Sequence, residues 1–154
     1  MRPREKAFAV LVLRLWRRVM KNRFKTTNQE RAAIVFKHVK ALEGDTEQAQ
    51  RYGSLALAAP TLIRSAGLVQ ALAFYEAKGN QKEKEYYTTL INNWTEELKG
   101  RKIIPEDTKN LREYAASSCS LVEYMRLTRE ILALSQWHRR FAQSILKAET
   151  GGET

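Results

Sequence analysis

The side chains best suited to catalysis or metal binding are few in this chain and lie apart in sequence. The two histidines, His38 and His138, have no cysteine or carboxylate at the spacing of zinc or iron ligands along a helix. Cys119 precedes a predicted helix, where a thiol pKa can fall, but no neighbouring base marks it as a nucleophile. The scattered glycines form no phosphate-binding loop. We therefore predict a protein without enzymatic activity, metal or cofactor.

Positive charge is the stronger chemical signal, and it is concentrated at the N-terminus. The chain has 27 Lys and Arg against 17 Asp and Glu. Residues 1–25, here the N-terminal arm, hold nine of those basic residues and one acid, Glu5. A basic arm favours a polyanionic partner, either nucleic acid or an anionic membrane, and a solvated helix face is the simpler alternative. Its candidate contact residues are Arg14, Arg17, Arg18, Lys21 and Lys25.

A third signal is a tryptophan beside a basic cluster. Trp137 directly precedes His138, Arg139 and Arg140. An aromatic ring next to cations can stack on a nucleobase. At helical spacing, however, a tryptophan packs in a core more often, and we place Trp94 and Phe141 in the core as well. By the same reasoning, Glu96 and Glu97 are predicted to be solvated charges on an exposed helix.

The sequence offers no clear targeting or membrane-spanning segment. The apolar run Ala7–Leu13 is short and is followed by Arg14, so a signal peptide is not expected. Residues 55–75 contain Pro60, Arg64 and Gly67, which favours a buried helical hairpin over a bilayer span. The single cysteine fits a reducing compartment, and we expect the protein in the cytoplasm.

Helices must position all these residues, because no segment shows the alternation of a strand. Residues 4–24 form a predicted amphipathic helix, with apolar residues opposite the basic stripe. Those apolar residues are Phe8, Leu11, Val12, Leu15 and Val19.

Capping patterns and helix breakers indicate where the other helices begin. Thr27 with Glu30 predicts a helix that buries Ala32, Val35, Phe36 and Val39 and ends at Gly44. Later starts are predicted at Asp45, Pro60, Asn80 with Glu83, Pro105, and Ser120 with Glu123, the last helix running to about Lys147. The predicted fold is all-α: a compact single-domain helical bundle of about six helices with an N-terminal basic amphipathic helix. We assign residues 1–27 to an extension, 28–149 to the domain and 150–154 to a flexible tail.

The segment Tyr52–Tyr75 is the most distinctive part of the chain, since Arg64 is its only charged residue. It suggests a helix, a break and two short helices packed through Leu62, Ile63, Leu68, Leu72 and Phe74. Gly67 permits a positive backbone φ or a close approach there.

This segment resembles the signature of the small helical subunit of Cmr-type (type III-B) CRISPR effector complexes. That family has a tyrosine-containing helix, a Pro-x-x-Ile motif, a Gly-Leu pair and an alanine-rich run that ends in phenylalanine. The matching residues are Tyr52, Pro60, Ile63, Gly67, Leu68, Ala71, Leu72 and Phe74. Residues 29–39 and 124–142 resemble the family's first and last helices. Because members usually begin near Gln29, the N-terminal arm is an extension to the family pattern.

The resemblance implies a non-catalytic structural subunit of an RNA-guided, RNA-targeting complex in antiviral defence. Several copies would stack beside a backbone subunit and help hold guide RNA and target RNA. The candidate RNA-binding residues are Arg64, Lys78, Arg126, Arg129, Arg139 and Arg140. Glu130 is a local ion-pair partner for Arg126 or Arg129, and such a pair would be the ordinary alternative to RNA contact.

Two other classes of protein remain open. The amphipathic arm also fits a peripheral membrane protein. A helical DNA-binding regulator is less favoured, because the segment from Pro60 to Phe74 has too little polar surface to read bases.

Overall fold

The computed structural model describes residues 2–23, 25–44 and 46–148, with the side chains of all but residues 21–23 and 46. Every regular element in these ranges is helical, which confirms the all-α prediction. The α-helices are α1 Pro3–Arg23, α2 Thr27–Lys40, α3 Thr46–Ala66, α4 Leu68–Gly79, α5 Glu85–Gly100, α6 Leu111–Glu113 and α7 Leu121–Ser144. The chain divides into two units, Met1–Glu30 and Arg31–Thr154. The predicted start at Asp45 and the predicted tail lie outside the described residues.

Helix α1 closely matches the amphipathic helix predicted for residues 4–24. Pro3 occupies its first turn, and the Arg2 backbone N–H donates to the Glu5 carboxylate at 3.2 Å. At 100° per residue, Leu11 and Leu15 project about 60° and 100° from Arg14, so the prediction that Arg14 lies opposite the apolar residues is wrong, whereas Arg17 projects about 160° from Leu15. The basic stripe is therefore a property of the helix itself.

Helix α2 begins with a capping box one residue earlier than predicted. The Gln29 N–H donates to Thr26 Oγ1 at 3.1 Å, and the Thr26 N–H donates to Gln29 Oε1 at 2.8 Å. The helix ends at Lys40, before the turn that contains Gly44. Val35 and Val39 are buried, but the prediction that Phe36 is buried is wrong, since 44% of it is exposed. Phe36 lies at the edge of the stripe that Val35 and Val39 define.

Helix α3 runs without interruption through Pro60, so the prediction that Pro60 begins a new helix is wrong. The buried side chains of Ala56, Ala59 and Ile63 flank the proline and hold the helix in the core on both sides of it. The break falls at Gly67, as predicted, where φ is +86°. The central segment is thus two helices, α3 and α4.

Two other predicted helix starts, at Asn80 with Glu83 and at Pro105, are wrong. Asn80 ends α4, and α5 begins only at Glu85. At Pro105, the Thr108 N–H donates back to the proline carbonyl at 3.1 Å and closes a turn. Asn110 caps the short α6 by accepting from the Glu113 N–H at 2.8 Å, and a π-helical segment, Tyr114–Ser118, follows.

Helix α7 begins as predicted, with reciprocal hydrogen bonds between Ser120 and Glu123. It runs antiparallel to α3, because Gln50 contacts Leu146 whereas Tyr52, further along α3, contacts the earlier residue His138. Helices α3, α4, α5 and α7 enclose the core, and α2 packs on α5 and α7 through side chains. The largest fully buried side chains include Trp94, Tyr52, Tyr75, Leu72, Ile131 and Leu134. The predicted core position of Trp94 is confirmed.

Candidate nucleic-acid interface

The outward side of α7 carries three exposed arginines. The other side of the helix faces the core through three buried residues, Leu127, Ile131 and Leu134. At 3.6 residues per turn, Arg126, Arg129 and Arg140 project within about 60° of one another and span about 21 Å along the axis. We call these three residues the α7 arginine face.

Arg139 does not belong to this face. Consecutive helical residues point about 100° apart, so Arg139 projects to one side of Arg140, and it is half-buried. The structure thus separates the two neighbouring arginines that the sequence suggested as one cluster.

The expected local partner of this face is engaged elsewhere. Glu130 is buried and accepts two hydrogen bonds from Arg31, Nε to Oε1 at 3.0 Å and Nη2 to Oε2 at 2.7 Å. Arg101 Nε donates to the same carboxylate at 3.0 Å. Burial by itself would raise the pKa of Glu130, but the guanidinium groups of Arg31 and Arg101 hold that pKa below its ordinary value. The alternative that Glu130 pairs with Arg126 or Arg129 is therefore wrong.

As a result, Glu130 does not neutralise the positive charge of the α7 arginine face. No carboxylate in the described part of the chain lies within 4.0 Å of Arg126, Arg129 or Arg140. Exposed, unpaired guanidinium groups at such spacing can each form a bidentate contact with a phosphate.

The two other candidates in the body of the protein occupy different helices. Arg64 is exposed in the last turn of α3. Because α3 and α7 are antiparallel, it lies toward the end of the pair at which α7 begins. Lys78 is half-buried near the end of α4, with Nζ 5.4 Å from the centre of the Phe74 ring. Lys78 is thus held against an aromatic ring, unlike the α7 arginines.

Only some of the candidate contact residues of the N-terminal arm lie on α1. Arg14, Arg17 and Arg18 are exposed on α1. Lys21 belongs to the same helix, but its side chain is among those not described. Lys25 follows the end of α1, so it does not extend the helical stripe as predicted.

Most of the central motif forms the core. Tyr52, Pro60, Ile63 and Leu68 are buried, and Gly67 has the positive φ expected of it. Phe74 is the exception: 46% of it is exposed, so the prediction that it packs inside is wrong. The motif therefore builds the scaffold that holds α7.

Sequence reasoning missed a buried polar cluster that surrounds Glu97. This residue is fully buried, so the prediction that it is solvated is wrong, whereas Glu96 is exposed as expected. His138 Nε2 and His38 Nδ1 lie 2.8 and 2.7 Å from Glu97 Oε1. Burial alone would raise the pKa of Glu97, but the two imidazoles beside it hold that pKa below its ordinary value. The histidines that lie apart in sequence thus share one carboxylate.

The cluster continues to Tyr52. The Tyr52 hydroxyl lies 2.8 Å from His138 Nδ1 and accepts from Asn93 Nδ2 at 3.0 Å. The orientation that satisfies each donor runs from Asn93 to Tyr52, to His138 and to Glu97. Since Tyr52, His138 and Glu97 are all buried, this chain of hydrogen bonds joins α3, α5 and α7 and indicates a structural role.

Other chemical candidates are weak in the structure. Burial raises the pKa of the Cys119 thiol, the opposite of activation. The described residues contain no group of three or more His, Cys, Asp or Glu side chains that could hold a metal ion. Among them, too, no helix is both long and apolar enough to cross a bilayer.

Known proteins match the chain in both sequence and fold. The family model described as "CRISPR-associated protein (Cas_Cmr5)" matches residues 27–145. A Thermus thermophilus protein named "CRISPR system Cmr subunit Cmr5" is 42% identical over 96 residues, 62% of this chain and 75% of that protein. A crystal structure of a CRISPR-associated Cmr5 family protein from the same organism has a TM-score of 0.64 at 34% identity, and covers 81% of this chain and 100% of that one. The chain belongs to the Cmr5 family of CRISPR-associated proteins.

Proposed function

We propose that this chain is a non-catalytic structural subunit of a type III-B, RNA-guided effector complex in the cytoplasm. In that complex it would contact guide RNA and target RNA through the α7 arginine face. The unpaired, outward arrangement of Arg126, Arg129 and Arg140 carries the proposal. It provides phosphate contacts without base reading, so sequence choice would come from RNA pairing.

Several copies would stack beside a larger backbone subunit. Support for a protein contact comes from the start of α7, where Leu121 and Val122 are 74% and 75% exposed and Met125 is 54% exposed. Adjacent apolar side chains with this exposure are typical of surfaces that another protein covers. The patch precedes Arg126, so one helix would contact a neighbouring subunit and the RNA.

The first test is co-purification. A tagged full-length chain, expressed with the larger subunits and a guide RNA, should carry both through purification. A variant with Leu121→Asp and Val122→Asp should carry less of the complex, whereas Lys82→Asp, in an exposed loop, should have no effect. Failure of the native chain to bring down either subunits or guide RNA would contradict the proposal.

The second test concerns RNA. The triple variant Arg126→Glu, Arg129→Glu and Arg140→Glu should weaken target RNA retention by the assembled complex. A matched variant has the same change of charge at three exposed lysines elsewhere, Lys82, Lys102 and Lys109. Equal retention by the two variants would remove the α7 arginine face from the proposal.

A further inference from the structure

An aromatic cluster lies beside the α7 arginine face. Trp137 stacks on Phe141, with ring centroids 5.5 Å apart and planes at 29°. Phe36 of α2 meets Phe141 edge to face, at 5.6 Å and 78°. Trp137 and Phe141 are half-buried, while 44% of Phe36 is exposed. The outermost ring of the row is thus open to solvent.

The charges that flank this row are positive. Trp137 and Arg140 are three residues apart, so they are neighbours on the helix surface. Lys37 directly follows Phe36 and is exposed. Within the described residues, neither Arg140 nor Lys37 has a carboxylate at ion-pair distance. Lys40 is paired with Glu43 and adds no free charge.

We propose that Phe36 is a stacking site for an unpaired nucleobase of single-stranded RNA, whose phosphates lie on Arg140 and Lys37. The inference rests on the proposed RNA-binding function and adds the strand type that this edge of the protein prefers. A base in a duplex already stacks on its neighbours, whereas an unstacked base can pack on an aromatic side chain. A protein partner that buried Phe36 would not account for the unpaired cations beside the aromatic row, Lys37 and Arg140.

The test compares the full-length chain bound to a short oligouridylate and to an RNA duplex of the same length, at low salt. Phe36→Leu should weaken single-strand binding by about ten-fold, the order of one base–aromatic stack, and leave duplex binding unchanged. Phe36→Tyr keeps the ring and should retain the native affinity. Phe74→Leu, at a ring of equal exposure on α4, is the matched control and should bind as the native chain does.

The outcomes separate the two proposals. If Phe36→Leu binds the single strand as tightly as Phe74→Leu does, the stacking site is rejected and the α7 arginine face is untouched. If the triple glutamate variant binds both RNAs like the native chain, or the native chain binds neither, the RNA-binding function itself fails. Thermal melting of each variant checks that an affinity change does not reflect unfolding.

Discussion

Glu130 shows how a single buried carboxylate determines which arginines remain free. Helical spacing makes Arg126 and Arg129 its nearest partners in sequence, but Glu130 points inward, three residues after the buried Leu127. A buried charge needs partners that are themselves fixed, and Arg31 and Arg101 supply them from α2 and the end of α5. The local spacing to Arg126 and Arg129 was visible in the sequence, whereas the distant partners were not.

The Glu130 cluster makes the free energy of unfolding depend on pH in the acidic range. Because its folded pKa is lowered, Glu130 contributes stability above the ordinary glutamate pKa of about 4.3, and the contribution is lost as pH falls through the lower folded value. Glu130→Gln, which keeps the side-chain shape but weakens the charge-assisted hydrogen bonds, should reduce the free energy of unfolding at neutral pH by about 2 kcal/mol and make its decline in acid shallower. Urea titrations at several pH values measure both effects. The exposed Glu96→Gln is the control, and an equal loss in that variant would contradict the prediction.

Tyr52 provides a second prediction at the scale of one residue. Tyr52→Phe removes the hydroxyl between Asn93 and His138, so the buried His138 ring nitrogen and the half-buried Asn93 amide lose that partner. We expect a loss of about 1–3 kcal/mol in the free energy of unfolding. Tyr124→Phe, at a half-buried tyrosine of α7, should cost much less. Equal stability of Tyr52→Phe and the native protein in denaturant titration would show that the cluster is not structural.

At the scale of the element, the start of a helix was predicted correctly only where the side chain proposed as its cap forms that cap in the structure. Ser120 with Glu123 is such a case, and the start of α7 was predicted correctly. The helix starts predicted at Pro60 and Pro105 were wrong for different reasons. Burial on both sides carries α3 through Pro60, whereas Asn110 caps the next helix five residues after Pro105. Tertiary packing, which local sequence does not encode, decided the first, whereas the local cap between Asn110 and Glu113 decided the second.

A close approach between elements gives the third prediction. A Cβ at Gly53 would lie 2.4 Å from the Ala148 Cβ, where the chain folds back on α3 after α7. Gly53→Ala should therefore lower the free energy of unfolding by about 1–3 kcal/mol despite its better helix propensity. In the double variant, Ala148→Gly should recover part of that loss. Ser54→Ala, at the next and exposed position of α3, is the control; a stable Gly53→Ala variant with no response to Ala148→Gly would contradict the packing.

At the scale of the whole molecule, composition and periodicity were enough to predict an all-helical protein, and the motif around Gly67 was enough to indicate its family. The candidate site was predicted less well. The sequence identified Arg126, Arg129 and Arg140, but it also grouped Arg139 with them, although it projects elsewhere on the helix. Phe36 and Phe74 were predicted to be buried because an apolar residue at the edge of a stripe resembles one at its centre.

The central claim is that three arginines of one helix neutralise RNA phosphates, and the salt dependence of target RNA binding by the assembled complex tests it most directly. Each phosphate contact adds about 0.7 to the slope of log affinity against log salt for a single strand. The triple glutamate variant of the α7 arginine face should therefore lower that slope by about 2 for each copy that contacts the RNA. The Lys82, Lys102 and Lys109 variant should keep the native slope. Parallel salt dependences for the native complex and the α7 variant would contradict the account.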